Sequence, residues 1–186
     1  MRVIAKRIIS GVFLVLAFPL ALLSGFGRVE SLYLLGAQIS AGVPGLPGDY
    51  FRNAFYRLTL ESCHPESRIQ FGSFFAHPQA RIEKHVYIGA YCVLGRTSIG
   101  ERTQIGSGVQ ILSGARQHGR DAEGRILSSD AGHFTTVRIG ADCWIGAQAI
   151  LMADIGEKTT IGAGSVVTKP IPPRSIAYGV PAKVKS

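Results

Sequence analysis

The sequence predicts a mostly-β protein, a parallel β-helix preceded by membrane-associated helices, and three observations carry that prediction. Aliphatic residues recur at a period of six between Ile82 and Val167, usually followed by glycine, as in Ile88-Gly89, Leu94-Gly95, Ile99-Gly100, Ile105-Gly106, Ile139-Gly140, Ile145-Gly146, Ile155-Gly156 and Ile161-Gly162. Upstream, residues 8–27 form an uncharged, apolar run behind Arg2, Lys6 and Arg7. Only 17% of the 186 residues are charged and 23 are glycine, which suits an apolar stack with many tight corners.

Period six matches neither the 3.6 of a helix nor the plain alternation of a lone strand. It is a multiple of two, so one aliphatic can point inward from each short strand of a stacked coil. Each coil then buries its apolar side chains against its neighbours. The glycine allows close backbone approach or an unusual φ where the chain turns. The phase slips by one residue between Leu94 and Ile99, and again along Ile145, Ile150 and Ile155, as a coil shortened at a corner would require. A larger break separates Ile111 from Ile139. Residues 113–136 within it are polar, glycine-rich and without repeat, so a protruding loop is predicted there. A loop of that length inside a domain usually carries function.

Taken in order, residues 1–28 read as a membrane-embedded segment. A secretory signal would have this basic start but a clean A-x-A site at its end, which is missing. A spanning helix needs about 20 apolar residues, which residues 8–27 just supply. The third geometry is a helix that enters or lies in the interface without crossing. Pro19 in mid-segment would kink it and help it turn back, and the residues that follow favour this third geometry. Residues 29–61 read as amphipathic interfacial helices. Leu32, Leu35 and Ile39 share one face; after the turn-forming residues 44–48, Phe51, Phe55 and Leu58 follow, with Arg52 and Arg57 placed to meet anionic headgroups. The alternative for this last helix is packing on the base of the β-helix. Residues 62–186 form the β-helix domain, with residues 168–186 as its C-terminal extension.

The formal net charge is +8. Residues 1–68 hold 7 Lys/Arg and 4 Asp/Glu, and residues 69–186 hold 13 and 8, so the excess is spread along the chain. No basic arm or tract of the kind that binds nucleic acid is present. After Glu157 no acid follows, while Lys158, Lys169, Arg174, Lys183 and Lys185 do. That end suits a phosphate-bearing ligand, or is a solvated basic tail. Cys63, Cys92 and Cys143 show no CxxC spacing and read as reduced, structural thiols. His64 and His77 each precede proline and so favour extended or turn geometry; His77 could line an acceptor site. The histidines have no convincing metal-ligand spacing, and no metal is expected.

The Ile-Gly repeat, Asp142-Cys143-Trp144-Ile145-Gly146, the run from Ile161 through Gly164 to Pro170, and the ending from Pro172 through Tyr178 to Val184 resemble the hexapeptide-repeat acyltransferases over about residues 69–186. The resemblance implies a left-handed coil, an exception to the usual right-handed crossover. It also implies a homotrimer, acetyl-CoA or another acyl-CoA as co-substrate, and a histidine general base in a loop near this coil. His118, in Gly114-Ala-Arg-Gln-His-Gly-Arg-Asp121, matches that role. Imidazole suits the removal of a proton from an alcohol attacking a thioester, because its ordinary pKa lies near neutral. Asp121 could orient the ring as a triad carboxylate does. His133 is the second candidate, and His85 reads as a solvent-facing coil residue. By strand alternation Trp144 points outward if Ile145 points in; the resemblance puts it beside the groove between subunits, with plain trimer packing as the alternative. Gly146, Ala147, Ala163 and Gly164 are small enough for a pantetheine arm to lie along the backbone, and Lys169, Arg174 and Lys183 are candidates for the CoA phosphates.

These readings converge on an O-acetyltransferase that moves acetyl directly from acetyl-CoA to a hydroxyl of a sugar or lipid-linked saccharide. It would be associated with membrane lipid, with its catalytic domain on the cytoplasmic face, where acyl-CoA is found. N-acyl transfer to an amino sugar and a non-catalytic β-helix scaffold at the membrane are the alternatives.

Overall fold

A computed structural model describes residues 2–115, 117–127 and 134–185, with side chains from Lys6 onward. Three helices come first, α1 (Arg2–Leu23), α2 (Glu30–Ala41) and α3 (Gly45–Thr59). The rest of the chain winds through three parallel sheets as a β-solenoid. The first sheet stacks Ser62–Cys63, Ala80–Ile82, Thr97–Ile99 and Val137–Ile139. The second stacks Arg68–Ile69, Tyr87–Ile88, Gln104–Ile105, Trp144–Ile145, Thr160–Ile161 and Ile176–Gly179, and ends on the antiparallel strand Ala182–Val184. The third stacks Phe74–Phe75, Val93–Leu94, Gln110–Ile111, Ile150–Leu151 and Val166–Val167.

The aliphatics of the repeat form three buried ladders, in register from coil to coil: Ile82, Ile99 and Ile139 on the first sheet, Ile88, Ile105, Ile145 and Ile161 on the second, Leu94, Ile111, Leu151 and Val167 on the third. Steps from the first ladder to the second are six residues, as from Ile82 to Ile88 or Ile139 to Ile145. Steps from the second to the third are also six, as from Ile105 to Ile111 or Ile145 to Leu151. All the irregularity falls at the remaining corner: Phe75 to Ile82 is seven, Leu94 to Ile99 five, Leu151 to Ile155 four, Val167 to Ile171 four, and Ile111 to Ile139 contains the loop. The inward residue at the apparent Ile150 slip is therefore Leu151, fully buried, while Ile150 is only half-buried.

Of the two reasons for glycine after the aliphatic, close approach is the one realised. A Cβ added to Gly100 would sit 2.5 Å from Ala141 N, and one on Gly106 2.6 Å from Ala147 N, inside the backbone of the next coil. The left-handed φ comes two residues later and is adopted by side-chain-bearing residues: Tyr91, Arg102, Asp142, Gln148 and Lys158 all have φ between 56° and 61°. Backbone bonds to the preceding coil hold these corners, as from Arg102 N to Lys84 O (3.0 Å) and Lys158 N to Ala141 O (2.8 Å). Two residues before most inward aliphatics sits a small buried residue, and where it is Thr or Ser its hydroxyl can bond the neighbouring coil. Thr103 Oγ1 donates to Gly140 O at 2.7 Å and accepts from Cys143 N at 3.1 Å. All three cysteines are free thiols. Burial raises the thiol pKa of Cys92 and Cys143, and pushes Cys63 up to about 11.

The helices cover the first coil. α3 packs on Ser62–Cys63 and Arg68–Ile69, α2 packs on Phe74–Phe75, and α1 lies outside against both helices. An aromatic chain joins the layers, Tyr33 to Phe55 to Tyr56 to Phe75, with successive ring centroids 6.1, 5.4 and 5.0 Å apart. Of the two readings of the last helix, packing on the β-helix base is the one observed. Arg52 does not face headgroups; it is fully buried. Its Nη2 meets Asp49 Oδ1 at 2.7 Å, its Nε donates to Ile69 O at 2.9 Å, and its Nη1 donates to Val43 O at 2.6 Å and, more loosely, to Ser40 O and Ala41 O. The guanidinium thus supplies donors to carbonyls at the end of α2, above all to that of Val43.

α1 is built inside out for a surface helix. Ala17 and Ala21 are buried, whereas Ile8, Val12, Val15, Leu16, Leu22 and Leu23 face out, Val15 with 73% of its surface exposed. Lys6–Leu23 is long and apolar enough to cross a membrane by length and composition. Pro19 does not turn the chain, because α1 continues through it to Leu23. The reversal comes at Ser24–Val29, where Gly25, Phe26 and Gly27 take positive φ and Ser24 Oγ donates to Ala21 O at 2.8 Å. The apolar face of α2 also looks outward at Leu35 and Ile39.

Candidate active site

The irregular corner carries the loop. Its neck is Ser113, whose Oγ accepts from Arg96 N (2.9 Å) and whose carbonyl accepts from Thr135 N (3.0 Å). Within it, residues 119–127 fold as a hairpin. Leu127 N donates to Gly119 O at 2.9 Å, Asp121 N donates to Arg125 O at 3.1 Å, and Arg120 bridges Ile126 in antiparallel fashion. Asp121 makes the turn: its Oδ1 accepts from Glu123 N (3.0 Å) and Arg125 N (2.8 Å), and Gly124 supplies a φ of 80°.

His118 stands exposed at the open end of this hairpin, its Nδ1 3.3 Å from Leu127 O. That bond assigns the proton to Nδ1 in the neutral ring and leaves the Nε2 lone pair free. The hydrogen-bond partner observed for His118 is thus the Leu127 carbonyl, while Oδ1 of Asp121, expected to orient the ring, accepts from the turn. A carbonyl of an ordinary leucine carries no sequence signal. The Asp-Ala-Glu-Gly turn did, since Asp and Gly at those positions favour a tight reversal. His133 lies outside the described residues.

Gly146, Ala147, Ala163 and Gly164 come together at the corner between the second and third sheets. Gly164 N donates to Ala147 O at 2.9 Å, and a side chain on Gly146 would strike Ala163 N. Ala147 and Ala163 are exposed, so the corner is a shelf of bare backbone. Lys183 is near its end, paired with Tyr178. Gly179 N in turn donates to Ser165 Oγ at 3.2 Å. Lys169 and Arg174 do not join Lys183. Lys169 lies at the loop's corner, and Arg174 occupies the left-handed position between the first and second sheets, 3.4 Å from Glu157. Trp144 points outward from the second sheet, 58% exposed beside the fully buried Ile145.

His77 shares the loop's corner, its Nδ1 2.8 Å from Glu30 Oε1 and its ring 5.1 Å from that of Phe134. Arg96 stacks on the same Phe134 ring at 5.1 Å. His85 is a corner residue with its Nε2 3.4 Å from Glu66. Among the described residues, no three His, Cys, Asp or Glu side chains gather as metal ligands.

The hexapeptide repeat of succinyl-transferase matches residues 79–113 and 136–169, the coils on either side of the loop. A 50-residue stretch is 50% identical to SACOL2570 of Staphylococcus aureus (strain COL), provisionally described as an acetyltransferase, over 26% of this chain and 25% of that one. A 110-residue stretch is 32% identical to the serine acetyltransferase of Escherichia coli (strain K12), over 58% of this chain and 36% of that one. The matched stretches thus span 25% and 36% of these relatives' own length. The hexapeptide-repeat-containing acetyltransferase VCA0836 of Vibrio cholerae has the same fold, with a TM-score of 0.66 over 88% of this chain and 91% of that one at 20% identity. A second structure of it, complexed with acetyl coenzyme A, gives 0.56 over 86% and 88% at 21% identity. The chain thus carries the hexapeptide repeat of succinyl-transferase over residues 79–113 and 136–169 and shares the fold of a hexapeptide-repeat-containing acetyltransferase.

Proposed function

We propose that this protein is a membrane-associated O-acetyltransferase that moves acetyl from acetyl-CoA to a hydroxyl of a sugar or lipid-linked saccharide. The observation that carries the reading is the His118–Leu127 bond, which leaves Nε2 available to a hydroxyl. In the step proposed, Nε2 takes the acceptor's hydroxyl proton as its oxygen attacks the thioester carbonyl carbon. The tetrahedral intermediate then collapses, the C–S bond breaks, and the CoA sulfur leaves with the proton returned by the imidazolium. The products are an acetyl ester and free CoA. The pantetheine arm would run along the shelf of Gly146, Ala147, Ala163 and Gly164, with Lys183 toward a phosphate. The hairpin and the shelf lie at opposite ends of the strands of the third sheet. Side-by-side packing of three copies would set one copy's hairpin against its neighbour's shelf, with the exposed Trp144 near the groove.

Membrane association rests on the outward apolar faces of α1 and α2. A helix packed lengthwise on a layer that contains Asp49, Arg52 and Arg57 lies in the interface plane more readily than across the bilayer. The catalytic coil would then sit on the cytoplasmic face, within reach of acyl-CoA.

The test is acetyl transfer by the full chain to paired hydroxyl and amino sugars, free and lipid-linked, followed as CoA release and product mass. Ester formation is expected. Amide formation would make it an N-acyltransferase, and failure to bind CoA or transfer acetyl would leave a scaffold. In the same assay Asp121→Asn keeps the accepting oxygen of the turn and is expected to keep its rate. Asp121→Ala frees the turn and is expected to lose on the order of 10- to 100-fold through misplacement of His118. Equal, large losses in both variants would return the orienting role to the carboxylate.

A further inference from the structure

A groove of about 940 Å³ opens at the helical end of the molecule, between α1, α3 and the corners of the first two coils. Five cations line it, Lys6, Arg7, Arg57, Arg68 and Lys84, against two acids, Asp49 and Glu66. Both acids are already committed. Asp49 meets Arg52 at 2.7 Å and Arg68 at 2.9 Å, and Glu66 lies 3.5 Å from Lys84 and 3.4 Å from His85. Among the described residues, Lys6, Arg7 and Arg57 have no acidic partner. Arg57 is held in place instead by Ser10, whose Oγ accepts from its Nη1 at 2.8 Å, which leaves its other N–H groups for a ligand.

Apolar residues also line it, Leu14, Leu46 and Tyr50, beside the polar Ser10, Asn53 and His64. The wall formed by α1 turns directly into the outward face of Ile8, Val12 and Val15. A positively charged hollow continuous with a lipid-facing surface has the two chemistries of an anionic lipid, a phosphate and hydrocarbon. A site for a soluble phosphate ester needs only the first.

We propose that this groove binds the phosphodiester headgroup of an anionic membrane phospholipid, with the acyl chains along the outer face of α1. Arg57 and Lys6 grip the phosphate, Arg7 adds to the field, and the small Gly11 leaves room on the α1 wall. The proposal rests on the membrane association argued above and is independent of acyl transfer, because its test contains neither acetyl-CoA nor acceptor.

The experiment is flotation of the full chain with phosphatidylcholine vesicles and with vesicles that also contain phosphatidylglycerol, at one ionic strength. Wild type is expected to prefer the anionic vesicles by about tenfold or more. The variant Lys6→Gln/Arg7→Gln/Arg57→Gln is expected to lose that preference, while Arg138→Gln/Lys158→Gln/Lys185→Gln, with the same charge removed elsewhere, keeps it. If Arg57→Gln disturbs folding, Lys6→Gln/Arg7→Gln on the first turns of α1 is expected to lose part of the preference, with Lys6→Arg/Arg7→Lys retaining it. Equal loss in the distant variant would reduce the effect to diffuse charge and overturn the site. Displacement of the protein from vesicles by soluble glycerol phosphate would overturn the lipid as its source. Wild type floating equally with both vesicles would defeat the groove alone, and floating with neither would defeat the membrane reading as well.

Discussion

His118→Ala is expected to lower acetyl-transfer turnover by about 100- to 10,000-fold, the range that a positioned general base contributes. Binding of CoA should persist, because the shelf of Gly146, Ala147, Ala163 and Gly164 belongs to the coil and not to the hairpin. The two effects separate when CoA affinity is measured by calorimetry beside the rate of CoA release. The rise of kcat/KM with pH that a base produces in the free enzyme should vanish in the variant. His118→Gln serves as a second probe, since it keeps a polar group on the loop without supplying a base. A variant that turns over at the wild-type rate would remove His118 from the chemistry and pass the role to His133.

Arg52→Ala is expected to be the most damaging single change to stability, at about 3–5 kcal/mol. Burial lowers the pKa of the guanidinium, opposed by the adjacent Asp49, and the charge is kept by a full set of acceptors. Removing it strands the Val43 and Ile69 carbonyls in a dry site and opens a hole between α2, α3 and the first coil. Arg52→Lys should recover only part of the loss, because an ammonium lacks the planar fork that reaches Asp49 and two carbonyls at once. Urea unfolding of the detergent-solubilised chain measures both. A loss below about 1 kcal/mol for Arg52→Ala, the worth of an ordinary hydrogen bond, would show that the helices are not held to the coil through this residue.

The coil was legible because its period is geometric. One inward aliphatic per strand and one close approach per corner leave Ile-Gly every six residues, and the three ladders follow. The Ile150 position was misleading because two aliphatics are adjacent there, and only the register of Leu151 with Ile111 and Val167 decides between them. The helices were harder. Arg52 looks like a surface cation beside apolar residues, and its burial depends on carbonyls from residues 40–43 and 69 that no local pattern joins. The candidate base was visible as a histidine in a polar loop, but its hydrogen-bond partner was not, since Leu127 contributes only backbone. The candidate phosphate ligands Lys169, Arg174 and Lys183 were drawn as a group from their nearness in sequence. A coil that advances one corner every few residues sends Lys169, Arg174 and Lys183 to different sides.

The confinement of every length change to one corner has an evolutionary consequence. Two of the three edges of the prism are metrically locked, because an inserted residue there would move an aliphatic out of its ladder and break the register of every coil above. The third edge tolerates steps of four, five or seven residues and an excursion of more than twenty, between Ile111 and Ile139, with the same ladders on either side. That edge works as a splice site. Selection can exchange the segment between Ser113 and Val137 for another of different length while the stack and the corner of Gly146, Ala147, Ala163 and Gly164 remain untouched.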